Sequence, residues 1–262
     1  MPGADLALLH EAAETAARVA LRFWRAAPQS WEKPDGGGPV SQADLAVDAE
    51  LARVLRAARP GYGWLSEESP PEPARLRAGR VFVVDPIDGT RAFLEGQEGF
   101  SISLAVIEAG RPIAALVHLP ARGISYAATA DGPALRDGHP IRASAAADLS
   151  AAQVLTSTAS AHPGNWRGGN VPVFRRAFRP SIAWRLCLVA EGRFDATLSL
   201  RPAWEWDIAA GALIAERAGA RVTDRLGGPL AFNRAPPQTD GIVAAPAALH
   251  SDILGRLARW PG

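Results

Sequence analysis

The run Val83-Val84-Asp85-Pro86-Ile87-Asp88-Gly89-Thr90-Arg91-Ala92-Phe93 constrains this chain more than any other stretch of it. The apolar residues 81–84 predict a buried strand that ends on an acid, and Gly89 followed by Thr90 predicts the start of a helix. Asp85 and Asp88 stand three residues apart across a proline, a spacing that lets both carboxylates converge on one point. Pro86 has no N–H and a fixed φ, so it stiffens the connection and leaves the Ile87 carbonyl free to face that same point. Such an all-oxygen set suits a hard cation. The N–H groups of Gly89 and Thr90, lacking partners within the helix they open, suit an anion beside it. Helix capping alone can also produce an Asp-x-x-Asp-Gly-Thr sequence.

The elements around this run follow from periodicity. Leu6, Leu9, Ala13, Ala16, Ala20 and Trp24 recur at three- and four-residue steps and predict a helix over 5–26. Residues 27–39 are rich in Pro and Gly and read as a loop carrying Lys33, the one lysine in the chain. Ser41 predicts the cap of a second helix over 42–59, with Asp44 in its first turn and Pro60-Gly61 ending it. Strands are expected at 62–65, 81–84, 101–107, 112–118 and 123–127, and the tight connection Glu108-Ala109-Gly110-Arg111 predicts an antiparallel hairpin. From about residue 144 strand and helix alternate: extended at 153–156, 194–198 and 221–223, helical at 182–191 and 208–218. The expected class is therefore α/β, with an α+β first half (1–140) and an α/β second half (141–262) supplying Asp207 and the substrate pocket.

Composition narrows the function classes. A chain of 262 residues that is 48% hydrophobic can bury a sizeable core. A net charge of +1 and a pI near 8.0 provide no field for a nucleic-acid polymer or a lipid surface. Cys187 stands alone, which excludes an intramolecular disulfide or a thiolate cluster, and its apolar neighbours read as core. No window reaches the length of a membrane span, and 1–5 lack a basic leader, so the expected location is the cytoplasm. The histidines are scattered without ligand spacing, so magnesium is expected over zinc.

Two more acidic motifs sit at the ends of elements, where sites are built. Glu67-Glu68 follows the strand at 62–65, and Asp207 in Trp204-Glu205-Trp206-Asp207-Ile208-Ala209-Ala210-Gly211 lies at a helix start. A phosphate held by cations on one side and amides on the other is arranged for transfer to water. Taken in order, Glu67-Glu68, Asp85-Pro86-Ile87-Asp88-Gly89-Thr90 and Trp206-Asp207-Ile208-Ala209-Ala210-Gly211 resemble the inositol monophosphatase superfamily of lithium-sensitive, magnesium-dependent phosphatases, nearly end to end.

The resemblance implies a layered αβαβα sandwich that is monomeric or homodimeric and acts on a small phosphate ester. It implies that Glu67, Asp85 and the Ile87 carbonyl bind one magnesium, that Asp85, Asp88 and Asp207 bind a second, and that a third ion shares Glu67. Thr90, oriented by Asp44, would then help deprotonate the attacking water, Gly89 and Thr90 would hold the phosphate, and Lys33 would lie on a mobile loop over the site. Glu68 would support the site from behind, Glu205 would stand at its rim or meet substrate, and Trp204 would line the substrate pocket.

Within the superfamily, inositol phosphatases place a Glu seven residues before the last metal Asp; here that position is Leu200. The stretches 88–96, 100–107 and 186–192 are instead similar to bacterial 3'(2'),5'-bisphosphate nucleotidases, which implies adenosine 3',5'-bisphosphate as substrate and Arg185 facing its second phosphate. Pro180-Ser181 departs from the Gly-Ser pair of those enzymes. Histidinol-phosphate phosphatases share the Asp-Gly-Thr-Arg-Ala-Phe run, so histidinol phosphate and then inositol-1-phosphate are the rival substrates. A catalytically silent regulatory binder is the alternative of another class, although every metal carboxylate and Thr90 are present.

Overall fold

The computed structural model describes residues 2–34, 36–70 and 72–259. Helices α1 (Pro2–Phe23) and α2 (Gln42–Ala58) pack together on the faces that the sequence spacing marks. Leu9, Ala13, Ala16 and Ala20 of α1 and Val47, Leu51 and Leu55 of α2 are all buried. Ser41 caps α2 reciprocally: its Oγ accepts from Ala43 N at 3.1 Å, while Asp44 Oδ2 accepts from Ser41 N at 2.9 Å.

The segment 27–39, expected as a plain loop, contains β1 (Ser30–Glu32), paired antiparallel with β2 (Pro39–Ser41). Pro34 and glycines 36–38 lie between the two strands and leave the flanking residues free to pair, with Pro39 tolerated on an edge strand that needs no further donor. Lys33 follows β1 directly and donates its backbone N–H to Gly38 O at 3.0 Å.

Seven strands form the first sheet: β3 (Gly63–Ser66), β4 (Arg80–Asp88), β5 (Ser101–Glu108), β6 (Arg111–Leu119), β7 (Ile124–Thr129), β8 (Leu135–Arg136) and β9 (His139–Pro140), hydrogen-bonded in that order. β3 and β4 run parallel, and the 101–108 and 111–119 strands make the expected antiparallel hairpin. Alternation sends Val81 and Val83 to one face and Phe82 and Val84 to the other. Both faces are covered, which explains why these strands read as continuous apolar runs rather than as an alternating pattern.

A second sheet is built from β10 (Gln153–Thr156), β11 (Arg175–Ala177), β12 (Ala196–Ser199), β14 (Arg221–Thr223) and β16 (Ile242–Ala245), in the order β11-β10-β12-β16-β14. β13 (Ala203–Trp204) and β15 (Gln238–Thr239) form a separate short pair. A five-residue helix, α3 (Thr90–Leu94), follows β4. Helices α4 (Ile182–Ala190) and α5 (Glu205–Arg217) lie between the two sheets, sharing one apolar core with Val83 and Val117 on one side and Leu155 and Ala244 on the other. Opposite them, α6 (Ala247–Arg256) covers the far face of the second sheet through Leu249 and Ile253. The layers thus run α1/α2, sheet, α4/α5, sheet, α6, the expected αβαβα sandwich. Gly211 makes the inner layer possible: a Cβ there would come within 2.7 Å of the Leu186 side chain.

Candidate active site

The elements deliver their acids to one end of the first sheet. β4 does not end at Asp85, as the sequence suggested, but runs on to Asp88 and stays paired with β5 through a bulge between Asp85 and Asp88. A bulge re-aims side chains without ending the strand, which is how residues three apart in an extended segment come to face one region. Glu67 follows β3, the strand beside β4, and is tied by its N–H to Val84 O at 3.2 Å. α5 begins at Glu205, three residues earlier than expected, so Asp207 lies in its first turn. Ser103 of β5 holds that turn, donating Oγ to Trp206 O at 3.0 Å.

As a result, one carboxylate oxygen each from Glu67, Asp85 and Asp207 lies within 4.8 Å of the others. Burial raises Asp85 well above the ordinary carboxylate range, and the charges of Glu67, Asp88 and Asp207 raise it further. Asp207 is raised in the same way, by burial and then by Asp88 and Glu67. Asp88 is pushed up to about 6 by burial, opposed by hydrogen bonds that stabilise its ionised form. Its Oδ2 accepts from Ser181 Oγ at 2.6 Å and from Ala183 N at 2.7 Å, so the carboxylate also caps α4. Carboxylates gathered in low dielectric without sufficient counter-charge are a fit for a cation, and the all-oxygen donor set fits a hard one.

Next to this cluster, Thr90 Oγ1 lies 3.0 Å from Asp44 Oδ1 and 3.1 Å from the Ile87 carbonyl. Asp44 is buried and its pKa is raised, by burial foremost, against hydrogen bonds from Ser41 and Thr90. Gly89 takes φ 98°, a left-handed conformation suited to glycine, at the junction of β4 and α3. Lys33 reaches in from the β1–β2 turn, with Nζ 2.7 Å from Glu67 Oε1 and 2.8 Å from Glu68 Oε1. Glu68 is pushed up to about 7, with burial as the main cause and Lys33 opposing it.

The expected pocket residues fare differently. Glu205, expected at the rim, is fully buried; its oxygens accept from Asn233 N at 2.6 Å and Arg234 N at 2.9 Å, so it clamps the 233–234 segment. Arg185, expected to face a second phosphate, is 6% exposed. Its Nε donates to Arg179 O, its Nη2 to Pro180 O at 3.2 Å, and its charge offsets that of Asp88. Trp204 remains 39% exposed and stacks on Trp206 at 4.8 Å, and both line a cavity of about 340 Å³ with Glu67 in its wall. Leu200 is buried in the core. Sequence reasoning missed Ser181 as a partner of Asp88; its position before an apolar helical run signals a cap, but the partner lies 93 residues away.

A layered sandwich whose inner helix and neighbouring strands converge acidic groups in this way defines a hydrolase of phosphate esters. The inositol monophosphatase family model matches residues 5–259, and the chain belongs to that family of metal-dependent phosphatases; it is a phosphoric monoester hydrolase. A Streptomyces griseus protein named glucose-1-phosphate thymidylyltransferase is 35% identical over 95% of this chain and 97% of its own length. Histidinol-phosphatase of Mycobacterium tuberculosis is 33% identical, covering 84% of each chain. The 3'(2'),5'-bisphosphate nucleotidase CysQ of Salmonella typhimurium is 31% identical over 76% of this chain and 81% of that one. Among solved structures, the extragenic suppressor protein suhB of Bartonella henselae superposes with a TM-score of 0.83 at 27% identity, covering 96% of this chain and 97% of that one. No helix among the described residues is long and apolar enough to cross a membrane.

Proposed function

We propose that this protein is a magnesium-dependent phosphomonoesterase whose substrate is adenosine 3',5'-bisphosphate. The observation that carries the metal-dependent reading is the convergence of Glu67, Asp85 and Asp207 within 4.8 Å. Together with Asp88 and the Ile87 carbonyl, these residues would hold two to three magnesium ions. The ions supply the positive charge that makes water nucleophilic and steadies the leaving oxygen.

The chain's own groups do the rest. Thr90 accepts a proton from the attacking water while donating its own toward Asp44, whose burial strengthens its affinity for a proton. Gly89 and Thr90 offer backbone N–H groups to the phosphate oxygens. The water oxygen bonds to phosphorus as the ester P–O bond breaks, and the leaving alkoxide takes a proton from solvent. Ser181 and Ala183 fix the orientation of Asp88, and Arg185 supports it electrostatically from the interior rather than meeting substrate.

The names carried by the relatives span several substrates; the similarity of 88–96, 100–107 and 186–192 to the bisphosphate nucleotidases supports this one. Leu200, buried where a sugar-binding acid would be needed, argues against inositol-1-phosphate. A second reading, histidinol phosphate, is favoured by the small cavity in which Trp204 and Trp206 present stacked aromatic faces beside Glu67. Phosphate release from adenosine 3',5'-bisphosphate, histidinol phosphate and inositol-1-phosphate, each with magnesium and with chelator, decides the matter. A magnesium-dependent preference for the bisphosphate is expected. Preference for another ester would overturn the substrate, and no release from any would leave a silent binder.

A further inference from the structure

A second, larger cavity of about 800 Å³ has Gly89, the residue between Asp88 and Thr90, in its wall. Arg25, Arg91, Arg122 and Arg179 line it against two glutamates, Glu95 and Glu98, so its wall is positive in a chain whose net charge is only +1. Of these guanidiniums, Arg122 alone forms an ion pair among the described residues, with Glu98 at 3.6 Å. Arg25 donates Nε to Gly96 O at 3.2 Å and lies 4.0 Å over the Trp24 ring. Arg179 donates to Phe178 O at 2.7 Å and lies 5.8 Å over Trp184. Arg91 is exposed and forms no ion pair among the described residues.

Backbone carbonyls and aromatic faces hold Arg25 and Arg179 in place without neutralising them. Little side-chain freedom is then left to lose when an anion binds. Guanidinium groups bind phosphate oxygens in a bidentate manner, and a cleft of one sign concentrates such an anion. Arg185 does not compete for this role, because it is buried and its Nε and Nη2 donate to the Arg179 and Pro180 carbonyls.

We propose that this cavity is an anion subsite in which Arg91 and Arg179 bind a second phosphate of the same small ester whose first phosphate is cleaved at the acid cluster. The proposal rests on the bisphosphate reading given above and adds the residues of this chain that select the second phosphate, Arg91 and Arg179.

The test compares kcat/KM for adenosine 3',5'-bisphosphate and adenosine 3'-monophosphate in the unaltered enzyme, Arg91→Ala and Arg179→Ala. The unaltered enzyme should prefer the bisphosphate, less so at high salt. Each variant should reduce that preference by about ten-fold, the size of one charge-assisted hydrogen bond, and leave the monophosphate rate unchanged. No preference in the unaltered enzyme, or equal losses on both esters, would overturn the subsite. Inhibition by inorganic sulfate that both variants relieve, with no discrimination between the esters, would assign the cavity to a free anion and overturn the link to substrate. Hydrolysis of neither ester would be a failure of the adenosine-ester reading of the active site. Calorimetry then still decides the subsite: binding of the bisphosphate must weaken about ten-fold in both variants, or the assignment is wrong.

Discussion

Asp5 and Asp85 are each 1% exposed, yet the protein treats the two carboxylates in opposite ways. Asp5, on α1, meets Arg59 Nε at 3.1 Å and Arg80 Nη1 at 3.0 Å, and the Tyr62 hydroxyl donates to it at 3.2 Å. Asp85, on β4, has Glu67, Asp88 and Asp207 for neighbours. A buried charge matched by the chain's own cations fastens elements together; here it joins α1 to the end of α2 and to the start of β4. A buried charge surrounded by its own kind is maintained against the interests of stability, which is understandable where an external cation completes the site.

That contrast can be broken most sharply by Asp85→Asn. Turnover should fall by about a thousand-fold or more. The metal-free variant should nevertheless melt no lower than the unaltered protein, because a repulsive charge has been removed; a melting temperature well below it would overturn the contrast. Asp5→Ala should do the reverse, lowering stability by about 3 kcal/mol in denaturant titrations while kcat stays near normal, since it leaves two arginines without their buried partner.

Magnesium at a hundred times its dissociation constant should stabilise the unaltered protein by about 2.7 kcal/mol, seen calorimetrically as a rise of roughly 5–10 °C in Tm. Asp5→Ala should retain this rise and Asp85→Asn should lose most of it. The smallest effect concerns a buried base. His250 accepts or donates one hydrogen bond with Thr223 at 2.9 Å, and burial, with Arg221 as a secondary cause, lowers its pKa to about 4. The native state therefore binds fewer protons than the unfolded chain between that value and the ordinary histidine pKa of about 6.5. Its contribution is intact above pH 6.5 and lost as the pH falls toward 4, so the acid-side decline in Tm should be shallower in His250→Gln; an unchanged slope would exclude this histidine as its source.

Much of this was legible in the chain. The capping pattern at Ser41 and Asp44, the three- and four-residue spacing of α1, and the acids at the ends of 63–66, 80–88 and 205–217 all stand where the residues indicate. Strand 242–245 and helix 247–256 were not anticipated, because a short run such as Ile242-Val243-Ala244-Ala245 is apolar on both faces and carries no period. Arg185 and Glu205 were misjudged for a related reason. Glu205 lies beside Trp204 in sequence and Arg185 was placed by resemblance, but successive residues of a helix point about 100° apart, so neither argument says which way the side chain faces.

The sequence by itself determined the chemistry that is local: which acids end which elements, that Gly89 can take a positive φ, and that the donor set is all oxygen. Only the tertiary structure decided which groups meet. Glu67 and Asp207 lie 140 residues apart in the chain, and their convergence depends on the pairing of β3 with β4 and on α5 lying over the same sheet. The same packing turns Arg185 inward and leaves Arg91 exposed. Local preferences are set by a residue and its near neighbours. The direction of a side chain in the folded protein is set by what its whole element is packed against.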